Sequence, residues 1–235
     1  MIETSYIGAY WGPRREPVDA CAARLATFME SLTEIDPLLA SWFETGYSLK
    51  SARAKKVEPH PSVLRELLLA GQARRDGAAR SVVNDLGFRI GLWNGNDTQV
   101  GLSATCGASP PTTAFGNRVV VNLPEAEGAA MSLYRRDTGF RLIQAVVAAW
   151  KPSWATWTNH RLRNAQQPKP GQVVVGWATY VPSQSPFPGG NLPPGVAVET
   201  LGTGVLITIR DDPVSVPESS ALAVRDFLTR NSQDL

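Results

Sequence analysis

The chain has 235 residues, of which 43% are hydrophobic and 19% are charged. This composition excludes an intrinsically disordered chain and suits one large domain, or two small ones, with a buried core. The 23 Lys and Arg residues against 21 Asp and Glu residues give a net charge of +2, which disfavours a dedicated nucleic-acid binder. The 20 Gly and 18 Pro residues argue against a simple helical bundle.

The amino-terminal part predicts one strand and one helix. Residues 6–11 form a short apolar run that a Gly-Pro pair ends. From Pro17 onward, apolar residues recur every three to four positions, which predicts an amphipathic helix that ends at Asp36, before a proline. We expect no signal peptide and no run of about 18 apolar residues that would span a membrane, and therefore a soluble, cytoplasmic protein.

Residues 37–74 are expected to be helical in two places. One or two helical turns are predicted from Leu38, Leu39, Trp42 and Phe43, and a second helix over residues 61–74. Between them, the basic stretch Lys50–Lys56 is expected to be mobile. We interpret this stretch as a solvated face, with a functional basic patch as the alternative.

The middle of the chain predicts three strands and a helix. Residues 86–123 alternate apolar and polar side chains around an Asn94-Gly95 turn, which is typical of an antiparallel meander of three strands. A third helix is predicted over residues 130–150, and its last residue, Trp150, is expected in the core.

Two tryptophans follow this helix in a polar segment that predicts no regular element. They are Trp154 and Trp157. Core anchoring is the preferred interpretation for both residues. A binding surface is the alternative, because tryptophan is enriched in the hot spots of protein interfaces. The apolar run 173–181 then predicts a central strand with Trp177 in the core.

The carboxy-terminal part predicts a loop, a strand pair and a helix. Five prolines make residues 182–194 a long loop, and two strands are expected around Gly202. The final helix begins with a capping box, in which Ser215 is followed by Glu218 three residues later.

This order of elements predicts an α+β fold in which helices pack on a largely antiparallel sheet. We expect residues 1–235 to form a single domain, with a possible division into two α/β halves at about 1–128 and 129–235. Cys21 and Cys106 are expected as two buried thiols, with a disulfide as the alternative.

Residue types and spacing reveal no assembled catalytic site. The only histidines are His60 and His160, without cysteines at zinc-ligand spacing, and neither a nucleophile elbow nor a phosphate-binding loop occurs. We therefore expect no metal and no cofactor. The best enzymatic alternative is a small hydrolase or nuclease that uses Asp211, Asp212 and His160, and it requires these groups to converge in one cleft.

Charge is distributed unevenly along the sequence. Residues 134–171 hold seven basic side chains and one acidic side chain, whereas residues 172–235 hold three basic and six acidic ones. Such segregation helps to steer a charged protein partner, provided that folding does not interleave the two segments.

Several short motifs stand in a characteristic order between about residues 6 and 230. They are Ala9-Tyr10-Trp11-Gly12-Pro13-Arg14, Cys21-Ala-Ala-Arg-Leu25, Ile35-Asp36-Pro37-Leu38 before Trp42-Phe43, Val175-Gly176-Trp177-Ala178-Thr179-Tyr180, and Gly204-Val-Leu-Ile-Thr208 before the final helix. Together they resemble the immunity protein 52 family of bacterial polymorphic toxin systems. One departure is the start of the last helix, where the family has an acidic-rich stretch and this chain has Val214-Ser-Val-Pro-Glu218.

The resemblance implies a non-enzymatic antitoxin that binds the toxin of its own strain. Toxins paired with this family often carry a restriction-endonuclease-like DNase domain and are commonly delivered by a type VI secretion system. The implied partner is therefore a nuclease effector, with no direct contact to nucleic acid or membrane. The implied mechanism is occlusion of the active or DNA-binding region of the toxin. A scaffold that binds another protein is a third interpretation, which differs only in the partner.

A nuclease has a basic DNA cleft, so its inhibitor is expected to present acids backed by aromatic anchors. The candidate toxin-binding residues are Asp211 and Asp212 at a strand end, together with Trp154 and Trp157. If these residues do not bind the toxin, the stretch Lys50–Lys56 and the loop 182–194 are the next candidates.

Overall fold

The computed structural model describes residues 4–46, 48–76, 80–110, 116–183, 192–209 and 212–230. Ten strands occur in this part of the chain: β1 (Ser5–Trp11), β2 (Trp42–Glu44), β3 (Lys56–Val57), β4 (Phe88–Trp93), β5 (Gly101–Cys106), β6 (Asn117–Asn122), β7 (Trp154–Asn159), β8 (Ala178–Pro182), β9 (Val196–Leu201) and β10 (Gly204–Ile209). The α-helices are α1 (Val18–Thr33), α2 (Leu49–Arg53), α3 (Pro61–Ala70), α4 (Arg136–Trp150), α5 (His160–Gln166) and α6 (Glu218–Arg230). Short 3-10 helices cover Pro37–Leu39, Asn84–Leu86 and Gly128–Tyr134.

All ten strands belong to one sheet in the order β3-β2-β4-β5-β6-β1-β7-β8-β10-β9. The strand pairs are antiparallel, so the predicted α+β fold with helices on an antiparallel sheet is confirmed. The meander predicted over residues 86–123 is the β4-β5-β6 part of the sheet. Strands β2 to β6 lie on one side of β1 and strands β7 to β10 on the other, so the sheet runs without a break through both of the proposed halves.

Strand β1 lies inside the sheet because both of its edges are paired. Gly8 at its middle stands opposite Val120 of β6 and Thr156 of β7. Side chains alternate between the two faces of a strand, so Trp11 points to one face and Tyr10 to the other. Trp11 stacks on Trp150 of α4 with ring centroids 5.4 Å apart, which identifies its face as the helix-covered one.

The first helical layer consists of α1, α3 and α4. The apolar stripe of α1 buries Cys21, Leu25, Phe28 and Leu32, and this helix packs against both α3 and α4. The prediction of a helix that begins near Pro17 and ends before Asp36 is confirmed. The Asp36 carboxylate accepts a hydrogen bond of 2.9 Å from the backbone of Leu38, which starts the following 3-10 helix.

The two predicted thiols lie in the core between α1 and the sheet. Cys21 of α1 and Cys106 of β5 are both buried and both free, so the predicted buried thiols are confirmed. A hydrogen bond from Cys21 and burial raise the pKa of the Cys106 thiol far above its usual range.

The second helical layer consists of α5 and α6, which pack against each other. Gln166 at the end of α5 is buried, and its amide group both donates to and accepts from the backbone of Val175, at 2.7 and 2.8 Å. Arg225 of α6 donates to the carbonyl of the same glutamine at 3.1 Å. These bonds hold residues 167–177 as an ordered, non-helical segment beside the sheet.

Two sequence predictions before β4 differ from the structure. The predicted helical turn is present at Pro37–Leu39, but Trp42 and Phe43 belong to β2, because Trp42 is buried and its backbone pairs with β3. The basic stretch Lys50–Lys56, predicted to be mobile, includes most of α2 and the start of β3. Arg53 bonds to Asp97 at 2.9 Å, and Lys56 lies 3.0 Å from Glu58, so the charges of this stretch face solvent and nearby carboxylates.

Two predicted helices are shorter than expected. The helix expected over residues 61–74 ends at Ala70, because Gly71 packs directly on the backbone of Arg89, whose oxygen lies 1.8 Å from the place of an added Cβ. The helix expected over 130–150 is divided into a 3-10 helix and α4, because Arg135 takes an extended conformation with φ −68° and ψ 141°.

Two predictions around β7 and β8 were also wrong in their boundaries. The segment with Trp154 and Trp157 is a regular strand, β7, and a helix, α5, follows it. The strand expected over residues 173–181 begins only at Ala178. In contrast, the strand pair around Gly202 and the presence of a final helix are confirmed. This helix begins at Glu218, so Ser215 lies three residues before it and does not form the predicted capping box. Most of the proline-rich loop expected over 182–194 lies outside the described residues.

Candidate functional site

Three of the four predicted toxin-binding residues are described by the structure, and they occupy different surroundings. Asp211 lies outside the described residues. Asp212 is exposed between β10 and α6, where its carboxylate accepts a hydrogen bond of 2.8 Å from the backbone of Val214. Trp154 and Trp157 are buried neighbours on β7, with 5% and 1% of their surface exposed. Their side chains point to opposite faces of the sheet, since they are three residues apart on a strand.

Trp157 belongs to the core between the sheet and α4. Its ring meets Trp177 edge-on at 4.9 Å and Tyr134 at 6.0 Å. Helix α4 approaches so closely at Gly139 that an added Cβ would lie 1.7 Å from the Trp157 ring. Trp157 therefore anchors the core, which is the interpretation preferred from the sequence, and it contacts a partner only if α4 moves.

Trp154 points to the other face, where it lines a groove of about 460 Å³. Its ring stacks on Tyr10 with centroids 4.2 Å apart and planes 23° apart. We call this feature the tyrosine groove and define it by the residues that line it, which are Tyr6, Tyr10, Arg118, Val120, Asn122, Trp154, His160, Arg163, 168–172 and Val174.

The floor of the tyrosine groove follows from the register of three adjacent strands. Tyr10 stands between Arg118 of β6 and Trp154 of β7, so all three side chains emerge on the same face. Gly8, two residues earlier, has no side chain, and the ring of Tyr10 fills the space, with its hydroxyl 2.6 Å from the position of an added Cβ. The glycine therefore allows the tyrosine to lie flat across the sheet.

The wall of the groove comes from α5 and the segment after it. Asn159 caps α5 by accepting a hydrogen bond of 2.8 Å from the backbone of Leu162, which fixes the start of the helix at the end of β7. The His160 ring lies 5.6 Å from the ring of Tyr6. One helical turn later, Arg163 also reaches the groove, and Lys169 lies on the segment beyond.

The groove is electropositive and its hydroxyl groups are neutral. Arg118, Arg163 and Lys169 contribute three cations, and none of its described lining residues is an aspartate or glutamate. Burial raises the pKa of Tyr10 above its usual value, although Arg163 and Arg118 act in the opposite direction. Burial, followed by the neighbouring Tyr10, raises the pKa of Tyr6 even further. Because both pKa values are raised, the two hydroxyls serve as neutral hydrogen-bonding groups.

Two residues of the enzymatic alternative, His160 and Asp212, follow strand ends at one edge of the sheet, and Asp211 lies outside the described residues. Strands β7 and β10 both run antiparallel to β8, so His160 after β7 and Asp212 after β10 follow strand ends at the same edge. Only His160 lines the groove. Within the described part of the chain, no three His, Cys, Asp or Glu side chains gather as metal ligands would. The geometry therefore provides a surface suited to anionic groups and gives no specific support to hydrolytic chemistry.

Sequence reasoning missed Tyr6, Tyr10, Arg118 and Arg163 as functional candidates. One signal was present, since Tyr6, Gly8 and Tyr10 alternate along a predicted strand and therefore share a face. The cations carry no such signal, because their place at the groove depends on the order of strands in the sheet.

Comparison with known proteins gives one family and one fold relative of interest. The model of the family Imm52, immunity protein 52, matches residues 3–232. A search of curated proteins gives no match. Among solved structures, the Pseudomonas aeruginosa T6SS protein PA0821 is similar with a TM-score of 0.52 and 13% identity, over 96% of this chain and 72% of that chain. At this identity the likeness concerns the fold. In the described part of the chain, no helix is both long and apolar enough to cross a membrane.

Proposed function

Because the chain belongs to the immunity protein 52 family, we propose that it is an antitoxin that binds one cognate toxin and neutralises it by occluding the active or substrate-binding region of that toxin. The observation that carries this proposal is the extent of the family match, which spans residues 3–232 and thus includes the whole sheet and both helical layers. Inhibition by occlusion is stoichiometric and requires no catalytic group in the inhibitor.

The proposal extends to the class of toxin. The family resemblance in the sequence motifs favours a restriction-endonuclease-like DNase effector of a type VI secretion system. The fold likeness to a T6SS protein is in keeping with this setting. A DNase acts where the chromosome is, so the proposal places the antitoxin in the cytoplasm. The protein itself contacts neither DNA nor membrane in this scheme.

Two surfaces are available for the toxin among the described residues. One is the turn at Asp212, which is exposed and suits a basic DNA cleft. The other is the tyrosine groove together with the uncovered part of the same sheet face, where Arg89 and Gly91 of β4 are also exposed. A stable complex is expected to bury at least about 1,200 Å² in total.

The gene neighbourhood and a protection assay test the proposal. The toxin gene encoded next to this chain is expressed from an inducible promoter in a bacterial host, with or without this protein. We expect the host to survive only when both are present, and the two proteins to elute as one complex. A toxin variant without its catalytic residues is the control, since it should bind equally without harming cells. Unprotected cells that contain abundant folded antitoxin would contradict the proposal.

A further inference from the structure

The tyrosine groove carries more positive charge than its surroundings balance. Arg118, Arg163 and Lys169 line it, and within the described residues none of the three side chains forms an ion pair. Elsewhere on the surface the cations are commonly paired, as Arg15 is with Asp85 and Arg65 with Asp19. Three unbalanced cations around one concave surface make the groove attractive to a negatively charged group.

The side chains of the groove can also orient a bound negatively charged group. Arginine binds a carboxylate through two parallel hydrogen bonds, and Arg118 of β6 and Arg163 of α5 both line the groove near Tyr10. The stacked rings of Tyr10 and Trp154 line the same groove. Charge at the walls and an aromatic floor suit a side chain with an acidic end and an apolar stem.

A protein segment fits these features better than a nucleic acid. Nucleic-acid binders neutralise many phosphates along a basic stripe, whereas this groove has three cations and the whole chain has a net charge of +2. The volume of about 460 Å³ lies within the usual range for a pocket that holds a small ligand or a few side chains. The neighbouring strands β4 and β5 continue the same face and extend the contact area that a protein partner needs.

We propose that the tyrosine groove receives a short acidic segment of the cognate toxin, with an aspartate or glutamate carboxylate held between Arg118 and Arg163. This inference rests on the proposed function, because it names the part of the toxin that the antitoxin recognises. It differs from the expectation that acids of the antitoxin meet a basic cleft: here the antitoxin provides the cations and the toxin provides the acids.

Charge reversal at the groove tests the proposal. The variants Arg118→Glu and Arg163→Glu are titrated with the catalytically inactive toxin by calorimetry, and Arg135→Glu is the control. Arg135 is exposed at the start of α4, where an acid favours the helix, and it does not line the groove. We expect each groove variant to bind at least about 30-fold more weakly, and the control to remain within about threefold of the wild type. Far-UV circular dichroism verifies the folds, and Arg118→Gln provides a milder variant.

A second titration separates this inference from the proposed function. Wild-type protein is titrated at low salt with hexaglutamate, with hexalysine and with a six-nucleotide single-stranded DNA. We expect hexaglutamate alone to bind, and Arg118→Glu to abolish its binding. Toxin affinity that is unchanged in both groove variants would overturn the inference and leave the antitoxin function intact. DNA that binds the groove more tightly than hexaglutamate would also overturn it. If hexaglutamate binds in the groove and no toxin binds the wild type, the proposed function fails and the acidic preference of the groove stands.

Discussion

Replacement of Trp177 by alanine should destabilise the fold more than replacement of a half-buried tryptophan. Trp177 is 3% exposed, stacks on Phe140 of α4 at 5.4 Å and meets Trp157 of β7 edge-on at 4.9 Å. It therefore joins the second half of the sheet to the first helical layer.

The magnitude follows from the buried area and the ring contacts. A buried tryptophan removes about 150–250 Å² from water. At about 25 cal/mol per Å², this is worth about 4–6 kcal/mol, of which an alanine methyl retains about 1 kcal/mol. The expected loss for Trp177→Ala is therefore about 3–5 kcal/mol, in agreement with the usual cost of removing a core aromatic ring.

Equilibrium unfolding in urea, followed by far-UV circular dichroism, measures this loss. Trp93→Ala is the matched control, because Trp93 is half-buried and its indole donates to the carbonyl of Glu44 at 3.2 Å; it should cost about 1–2 kcal/mol. Trp177→Phe keeps a ring against Phe140 and should cost about half as much as the alanine change. A loss below about 1 kcal/mol for Trp177→Ala, or one no larger than that of the control, would refute the reasoning.

Three further predictions concern the core, the acidic turn and the tyrosines. Gly139→Ala should destabilise the fold by about 1–3 kcal/mol despite the better helix propensity of alanine, because the new Cβ would overlap the Trp157 ring. Gly91→Ala is the control in the same urea assay, since nothing lies within 4 Å of its new Cβ. Equal losses of unfolding free energy in the two variants would contradict the prediction. Asp211→Ala/Asp212→Ala should weaken toxin binding in a titration without lowering the melting temperature by more than a few degrees, since the Asp212 carboxylate makes one exposed hydrogen bond. Unchanged toxin affinity in a folded variant would show that this turn is not part of the interface. The raised pKa values of Tyr6 and Tyr10 favour their neutral forms, so their contribution to stability is fully present below about pH 10 and is lost as the pH rises through the folded-state values. The free energy of unfolding measured between about pH 9 and 12 should show this loss, and the loss should be smaller in Tyr6→Phe/Tyr10→Phe. An identical pH dependence in the variant would contradict the prediction.

Strands and helices were predictable where local pattern and final environment agree. Helix α1 has an apolar stripe, and the β4-β5-β6 meander has alternating side chains around a turn, so both were found from the sequence. Strand β7 was missed because Thr156 and Thr158, which point to the same face as Trp154, are buried although they are polar. A strand with polar residues on a buried face has no apolar alternation to reveal it.

The tyrosine groove could not be predicted from local pattern. It requires β6, β1 and β7 to be adjacent, and β1 lies more than 100 residues before the other two strands along the chain. Only this order brings Arg118 and Trp154 to the two sides of Tyr10. The excess of basic residues in 134–171 gave a partial hint, because Arg163 and Lys169 belong to that segment.

Stoichiometric inhibition of the purified toxin tests the antitoxin function most directly. The toxin encoded beside this chain is assayed for DNA cleavage at a fixed concentration, while the antitoxin is added from zero to about three equivalents. If the chain acts by occlusion, the residual activity falls linearly and reaches zero at about one equivalent, provided that the concentrations are well above the dissociation constant. Undiminished cleavage at three equivalents, or complete loss of activity at a small fraction of one equivalent, would contradict inhibition by a bound antitoxin.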